Sequence, residues 1–239
     1  HFKDAYAEHG FGNQELSEQL VSFASNIANQ PGVSDADKTA IISYAISQMG
    51  AEVAARPQDA RVLLEYSLVL RAAGDYPDSL KAIENALALS PEKQEIMLQK
   101  GTVEWQMGDA TAAAADFNKA YSLAHGYDDA ATYAAAGDVI TNNLAASKQI
   151  LLDHFSTTTV DSDVLIYAYY QVKDYGDMLH VLELRNRTNP SADTGYRLAS
   201  AYSLAGRTGD ARATILATMK AYPATAAQGQ SLLSQLGSQ

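Results

Sequence analysis

Apolar residues recur every three or four positions along most of the chain, the spacing that places them on one face of an α-helix. In residues 60–91, ARVLLEYSLVLRAAGDYPDSLKAIENALALSP, this spacing predicts two amphipathic helices joined by a tight turn at Gly74 and Asp75. The turn returns at Gly108 and again at Asn142, each time 34 residues later. A constant period of this length predicts a helical solenoid, in which each helix pair buries its apolar face against the next.

Less regular segments flank these helix pairs. Residues 1–12 are a short lead-in, and two longer helices follow it, the second with Ser34 as its N-cap in a capping box with Asp37. A last helix, from an N-cap near Thr225 to Leu236, carries leucines that would cover the final open apolar face. The predicted domains are a lead-in with an atypical capping pair at 1–57, repeats at 58–223 and a C-terminal capping helix at 224–239.

The repeated pattern resembles the tetratricopeptide repeat (TPR), whose consensus W-x2-L-G-x2-Y…A-x3-F…P is matched degenerately. The second regular unit keeps Gly101, Ala113 and Phe117, whereas the fourth carries Ile166 and Met178 where small residues are expected. The resemblance implies an all-α fold: a right-handed superhelical α-α solenoid of TPR helix pairs with a C-terminal capping helix. It is specific for the fold and gives little information on chemistry.

A narrower resemblance rests on FKDAYAEHGFGNQELSEQL, ISYAISQMGAEVAARPQDARVLLEYSLVL and ALSPEKQEIMLQKG. These stretches look like the C-terminal TPR tail of bacterial O-antigen ligase/polymerase-type membrane proteins. The resemblance implies that a membrane-embedded, glycan-transferring part lies upstream and that this chain is a soluble segment beside it, in an undetermined compartment. The chain begins at His1 rather than at a methionine, which agrees with an origin in a longer protein.

The amino-acid composition restricts the classes of partner that the chain can bind. The 239 residues include 28 acidic and 17 basic side chains, for a net charge of −11. This balance argues against nucleic acid or an anionic membrane as the main partner, because both require clustered lysine and arginine. No run of 18 apolar residues occurs, so we expect no insertion of this segment into a membrane.

Motifs for catalysis and for cofactor binding are missing from the sequence. There is no cysteine, so thiol catalysis and zinc–thiolate sites are excluded. The five histidines are scattered, and no pair has the spacing of a helical zinc site. Neither a phosphate-binding glycine motif nor a GxSxG elbow is present. We therefore expect no enzyme activity, no metal and no cofactor.

The TPR resemblance implies a concave groove lined by the first helix of each pair. Its exposed positions in the second unit begin at Glu95. Where the clamp that grips chaperone tails has lysine and asparagine, this chain has Leu64, Leu68, Leu98 and Thr102, so we expect no such clamp. The aromatic residues at these positions either anchor a peptide or pack between repeats. The predicted groove residues are Arg61, Leu64, Leu68, Arg71, Leu98, Trp105, Tyr167, Tyr170 and Tyr196.

Three functions are compatible with such a surface. The first is a protein–protein interaction scaffold that binds a peptide or protein partner in the groove. The second, suggested by the narrower resemblance, is an accessory domain that binds a carbohydrate or a lipid-linked intermediate. The third is a structural spacer or an oligomerising segment. The sequence favours the first.

Overall fold

The computed structural model describes residue 2, residues 13–28 and residues 30–237. Apart from Phe2, the predicted lead-in lies outside the described residues. Within these ranges the chain is helical and contains no β-strand. The described α-helices are α1 Asn13–Ala28, α2 Asp35–Ala55, α3 Ala60–Ala72, α4 Tyr76–Leu89, α5 Gln94–Gln106, α6 Ala110–Leu123, α7 Asp128–Ile140, α8 Leu144–Phe155, α9 Asp163–Val172, α10 Tyr175–Thr188, α11 Ala192–Leu204, α12 Thr208–Ala221 and α13 Ala226–Leu236.

The chain forms two compact units, residues 1–123 and residues 124–239. In the first unit α1 packs on α2 and α3, and the helices from α2 to α6 pack in sequence order. In the second unit α7 packs on α8 and α9, and the helices from α9 to α13 pack in sequence order. This order of packing confirms the predicted all-α architecture of stacked helix pairs. The division at residues 57 and 223 stays a prediction.

The turn inside each pair from α3 to α12 passes through one residue in the left-handed conformation. The N–H group of the next residue then reaches back to a carbonyl near the end of the first helix, as from Asp75 to Leu70 at 2.9 Å, which satisfies an open helix end. The prediction that Asn142 takes this conformation is confirmed. The left-handed residues are Gly74 (φ 78°), Gly108 (φ 90°), Asn142 (φ 61°), Lys173 (φ 60°) and Gly206 (φ 74°).

The two predicted N-caps differ in outcome. The Ser34 hydroxyl accepts a hydrogen bond from the Asp37 N–H group at 3.1 Å, as expected. The Asp37 carboxylate accepts from the same hydroxyl at 2.7 Å. Thr225 occupies the N-cap position of α13, as predicted, but it makes no capping hydrogen bond, because its hydroxyl donates to the Tyr222 carbonyl at 2.9 Å. Residues 223–225 form a 3₁₀ turn before the helix.

Small side chains allow close approach within the first regular pair, as the sequence predicts. Ser67 on α3 and Ser79 on α4 are fully buried, and the Ser79 hydroxyl donates to the Ser67 carbonyl oxygen at 2.8 Å. The bulky Ile166 and Met178 of the fourth regular unit are buried as well. That unit therefore accommodates large side chains where the repeat pattern has small ones.

The last helix, α13, covers the apolar end of the second unit. Its leucines Leu232, Leu233 and Leu236 pack against a buried cluster that includes Tyr196 and Ile215. Burial of this apolar area stabilises the pair formed by α11 and α12. The predicted capping role of this helix is confirmed.

Candidate partner-binding surface

Helix α3 provides the candidate surface of the first unit. It begins after Asp59, whose carboxylate accepts hydrogen bonds from the N–H groups of Arg61 at 3.0 Å and Val62 at 3.3 Å. This cap fixes the start of the helix and therefore its rotational register. Arg61, Glu65 and Leu68 then follow at helical spacing on one face.

This face of α3 lines an open cavity of about 800 Å³. Three of the predicted groove residues, Arg61, Leu64 and Leu68, contribute to its wall. A second open cavity of about 410 Å³ also includes Leu68 and reaches a fourth predicted residue, Arg71. The structure thus brings these four residues together along one helix.

The larger cavity includes charged residues that the sequence analysis did not assign to the groove. They are Glu18 from α1, Asp59 and Glu65 around α3, and Lys93 beside α5. The burial of Glu65 is the hardest of these features to predict, since the residue is charged yet only 9% exposed. The sequence did contain an indication of this burial, because Glu65 is the single charged residue in the apolar stretch VLLEYSLVL between two arginines.

The electrostatic environment of Glu65 reflects this burial. Loss of hydration raises the pKa of its carboxyl group to about 7. The positive charges of Arg61 and Arg56 lower the pKa, whereas the negative charges of Glu18 and Asp59 raise it. Near neutral pH, Glu65 therefore exchanges between its neutral and charged forms.

Two further groove predictions fall on α5. Leu98 is 4% exposed and Trp105 is 8% exposed. The Trp105 indole meets the fully buried ring of Phe117 edge-on, with 6.3 Å between centroids and an interplanar angle of 76°. For Trp105 this geometry favours packing, the alternative that the sequence left open.

The three tyrosines of the second unit that were predicted to line the groove fall into two groups. Tyr167 and Tyr170, three positions apart on α9, are 49% and 50% exposed. Tyr196 on α11 is only 3% exposed, and its hydroxyl donates to the Thr225 carbonyl oxygen at 3.0 Å. Tyr196 therefore connects α11 to the turn before α13, which favours packing for this residue, while Tyr167 and Tyr170 offer aromatic surface.

Ion pairs fix the start of α9, where these two tyrosines lie. The Arg185 guanidinium on α10 donates to Asp161 at 2.5 Å and to Asp163 at 2.6 Å, and Arg197 on α11 donates to Asp163 at 3.0 Å. Burial alone would raise the pKa of Asp163, but the hydrogen bonds from the two arginines outweigh it and lower the pKa. These carboxylates therefore have a structural role.

Neither a metal-binding cluster nor a membrane-spanning helix is found in the part of the chain that the structure describes. There, no group of three or more histidine, aspartate or glutamate side chains lies close enough together to hold a metal ion. In the same ranges, none of the helices combines the length and the apolar character needed to cross a bilayer.

No protein-family model matches the chain, and no curated protein sequence matches it. Solved structures match it in fold. A tetratricopeptide-repeat protein of Parabacteroides merdae shares 14% identity at a TM-score of 0.63, over 98% of this chain and 89% of that protein. The APC/C hetero-tetramer Cut9–Hcn1 gives 14% identity and a TM-score of 0.56, over 92% of this chain and 46% of that one.

A thermophilic tetratricopeptide-repeat protein of Thermus thermophilus is similar over 75% of this chain and 97% of its own, with 15% identity and a TM-score of 0.52. Identities this low establish similarity of fold and carry no information on partners. The narrower resemblance to O-antigen ligase tails stays a prediction. Together with the helix pairs and their left-handed turns, these similarities show that the chain has the tetratricopeptide-repeat fold.

Proposed function

We propose that the chain is a protein-interaction module that binds a peptide segment of a partner protein on the first helices of its pairs. The observation that carries this proposal is the cavity on α3, in which Arg61, Leu64 and Leu68 share one open wall. Such a mixture of apolar and charged side chains suits a peptide, whose apolar side chains gain by burial and whose polar groups need partners.

In the second unit, the proposed contacts are Tyr167 and Tyr170. Each leaves about half of a large aromatic side chain in solvent. Tyrosine combines a large apolar area with a polar hydroxyl and loses little entropy when it is ordered, so it is enriched at binding sites. Tyr196, Leu98 and Trp105 are buried, so the proposal does not count them among the contacts.

The proposal does not include catalysis. The predicted groove offers aliphatic, aromatic and arginine side chains, which recognise a partner but do not constitute a nucleophile with its base. Binding of a carbohydrate or a lipid-linked intermediate stays an alternative prediction, as does a spacer role. The experiment below separates these possibilities.

The test is to select peptides against the intact chain from a random display library and to measure their affinities by fluorescence anisotropy. Leu68→Glu places a charge where both cavities of the first unit meet, so we expect peptides bound there to lose at least about tenfold in affinity. For peptides bound to the second unit, we expect a comparable loss with Tyr167→Ala/Tyr170→Ala.

Leu216→Glu is the matched control, because Leu216 lies on α12, a second helix of its pair, and is 51% exposed. It should leave every affinity unchanged. The proposal is wrong if no peptide is selected, or if the selected peptides bind all variants equally. Binding to a glycan array that the tyrosine variant abolishes, without any peptide binding, would favour the carbohydrate alternative.

A further inference from the structure

Glu65 is a charged residue that is largely buried and whose carboxylate has no ion-pair partner among the residues that the structure describes. It lies in the middle of α3, is 9% exposed and lines the cavity of about 800 Å³. Among the residues that the structure describes, no hydrogen bond or ion pair reaches its oxygens. An ionised carboxylate in this position is costly, and a folded chain normally supplies a compensating charge or donor.

The cations around the cavity already face other carboxylates. Arg61 contacts Glu18 at 3.2 Å, and Lys93 lies 3.9 Å from Glu95. Arg61 and Lys93, the two cationic residues of the wall, therefore form no ion pair with Glu65. The wall as a whole carries four carboxyl groups against these two cations, so the cavity is electronegative.

Arg56, at the end of α2, acts on Glu65 only from a distance and forms its ion pairs with other carboxylates. The Arg56 guanidinium donates to Glu52 at 2.6 Å and lies 3.7 Å from Asp59. The charged groups that face Glu65 are thus Arg61 on its own helix, Glu18 from α1, and Arg56 and Asp59 from the segment before α3. Their opposing effects leave burial as the main influence on the pKa of Glu65, which is raised.

Apolar side chains complete the cavity. Leu64 and Leu68 from α3, Leu89 from the end of α4 and Ile96 from α5 contribute to the same wall. Lysine and arginine side chains have this character themselves, with an apolar stem and a charged end. The cavity therefore complements a long cationic side chain in both its charge and its apolar surface.

We propose that the cavity binds a lysine or arginine side chain of the partner segment, with the cationic group paired to the Glu65 carboxylate and the stem against Leu64 and Leu68. This inference rests on the proposed function and specifies the partner chemistry: a segment with a basic residue beside apolar ones. The cationic group of the partner would then offset the cost of the largely buried Glu65 charge by forming an ion pair with it.

The probes are the peptide N-acetyl-Leu-Lys-Leu-amide and its analogue with norleucine in place of lysine, which keeps the stem and removes the charge. Both are titrated into the ¹⁵N-labelled chain, and the amide shifts of α3 are followed by NMR. At pH 8 we expect the lysine peptide to bind at least about tenfold more tightly than the norleucine peptide. At pH 5.5 the preference should shrink, because Glu65 takes up a proton.

Glu65→Gln should abolish the preference at both pH values while leaving the shape of the cavity. This variant removes an unpaired buried charge, so we expect it to fold at least as well as the parent chain. Glu84→Gln is the matched control, since Glu84 lies on α4, is exposed and does not contribute to the wall of the cavity. It should change the preference by less than about twofold.

Equal affinity for the two peptides at pH 8, or a preference that survives Glu65→Gln, would overturn the inference. Display-selected peptides that depend on Leu68 but carry no basic residue would overturn it and leave the proposed function intact. Self-association of the chain that Glu65→Gln abolishes would also overturn it, because the occupant would then be a second copy.

Discussion

Gly101→Ala tests the closest helix approach in the first unit. A methyl group at this position of α5 would lie 2.5 Å from Cε1 and 2.7 Å from Cδ1 of Phe117, and 3.0 Å from the Ala113 carbonyl oxygen on α6. Carbon atoms in contact prefer a separation of about 3.5–4.0 Å, so the overlap with the ring is about 1 Å. The ring is fully buried and meets Trp105, so it has little room to move.

The expected cost follows from two opposing effects. Overpacking a well-filled core costs about 1–3 kcal/mol, and the double overlap with a fixed ring places this site near the upper end. The higher helix propensity of alanine returns about 1 kcal/mol. We therefore expect the free energy of unfolding to fall by about 2 kcal/mol, which at about 2–4 °C per kcal/mol lowers the melting temperature by about 4–8 °C.

The matched control is Gly50→Ala in the interior of α2. There the nearest atom to the added methyl group is the Tyr66 hydroxyl oxygen at 4.0 Å, an ordinary contact. Only the propensity effect remains, so stability should rise by about 1 kcal/mol. Urea unfolding followed by circular dichroism measures both variants against the parent chain.

The two glycine variants should thus change stability in opposite directions. Phe117→Leu in the Gly101→Ala background should recover part of the loss, because a smaller side chain removes the overlap, giving a coupling of about 0.5–3 kcal/mol. If Gly101→Ala were as stabilising as Gly50→Ala, the close packing of α5 on α6 would be wrong.

Three further predictions concern charge and the chain end. Lys100→Met removes the ammonium group that contacts both Glu104 and Asp116 at 2.5 Å, so stability at pH 8 should fall by about 3 kcal/mol. Urea unfolding should show a smaller loss at pH 5, because burial raises the pKa of Glu104 and favours its neutral form; equal losses would contradict this. Burial raises the pKa of Glu65 from 4.5 to about 7 in the folded chain, so the folded state holds this proton more tightly than the unfolded state. The resulting stabilisation is fully present below pH 4.5 and is lost as the pH rises to 7. Glu65→Gln should remove this decline, about 1.4 kcal/mol per unit of pKa shift, in unfolding measured at pH 4.5 and 8. Deleting residues 224–239 should uncover the apolar cluster under α13 and cause concentration-dependent association in sedimentation velocity, and a monomeric, equally stable product would contradict the capping role.

Much of the fold could be predicted from the sequence because its determinants are local. The helix spacing, the left-handed turn at Asn142 and the close contact of Ser67 with Ser79 all depend on residues within one period of the repeat. At Thr225 the position of the cap was predictable, but the absence of its capping hydrogen bond was not, since the hydroxyl has a competing acceptor in the preceding turn.

The candidate surface was predictable only in part. Arg61 and Leu68, which the repeat offsets select, line an open cavity, but the same offsets also select Trp105 and Tyr196, which are buried. The position of a residue within the repeat tells which face of its helix it lies on, but not whether another helix packs over that face. Burial depends on neighbouring helices: Phe117 of α6, for example, packs against the indole ring of Trp105.

The sequence by itself determined the helices, their turns and the order in which they stack, because caps, helix spacing and turn residues act over a few neighbouring positions. Only the tertiary structure decided which side chains of the first helices face solvent, and that Glu65 is largely buried at the wall of a cavity. Burial and pKa depend on atoms that the fold brings from distant parts of the chain, here from α1, α2 and α5 around one carboxylate.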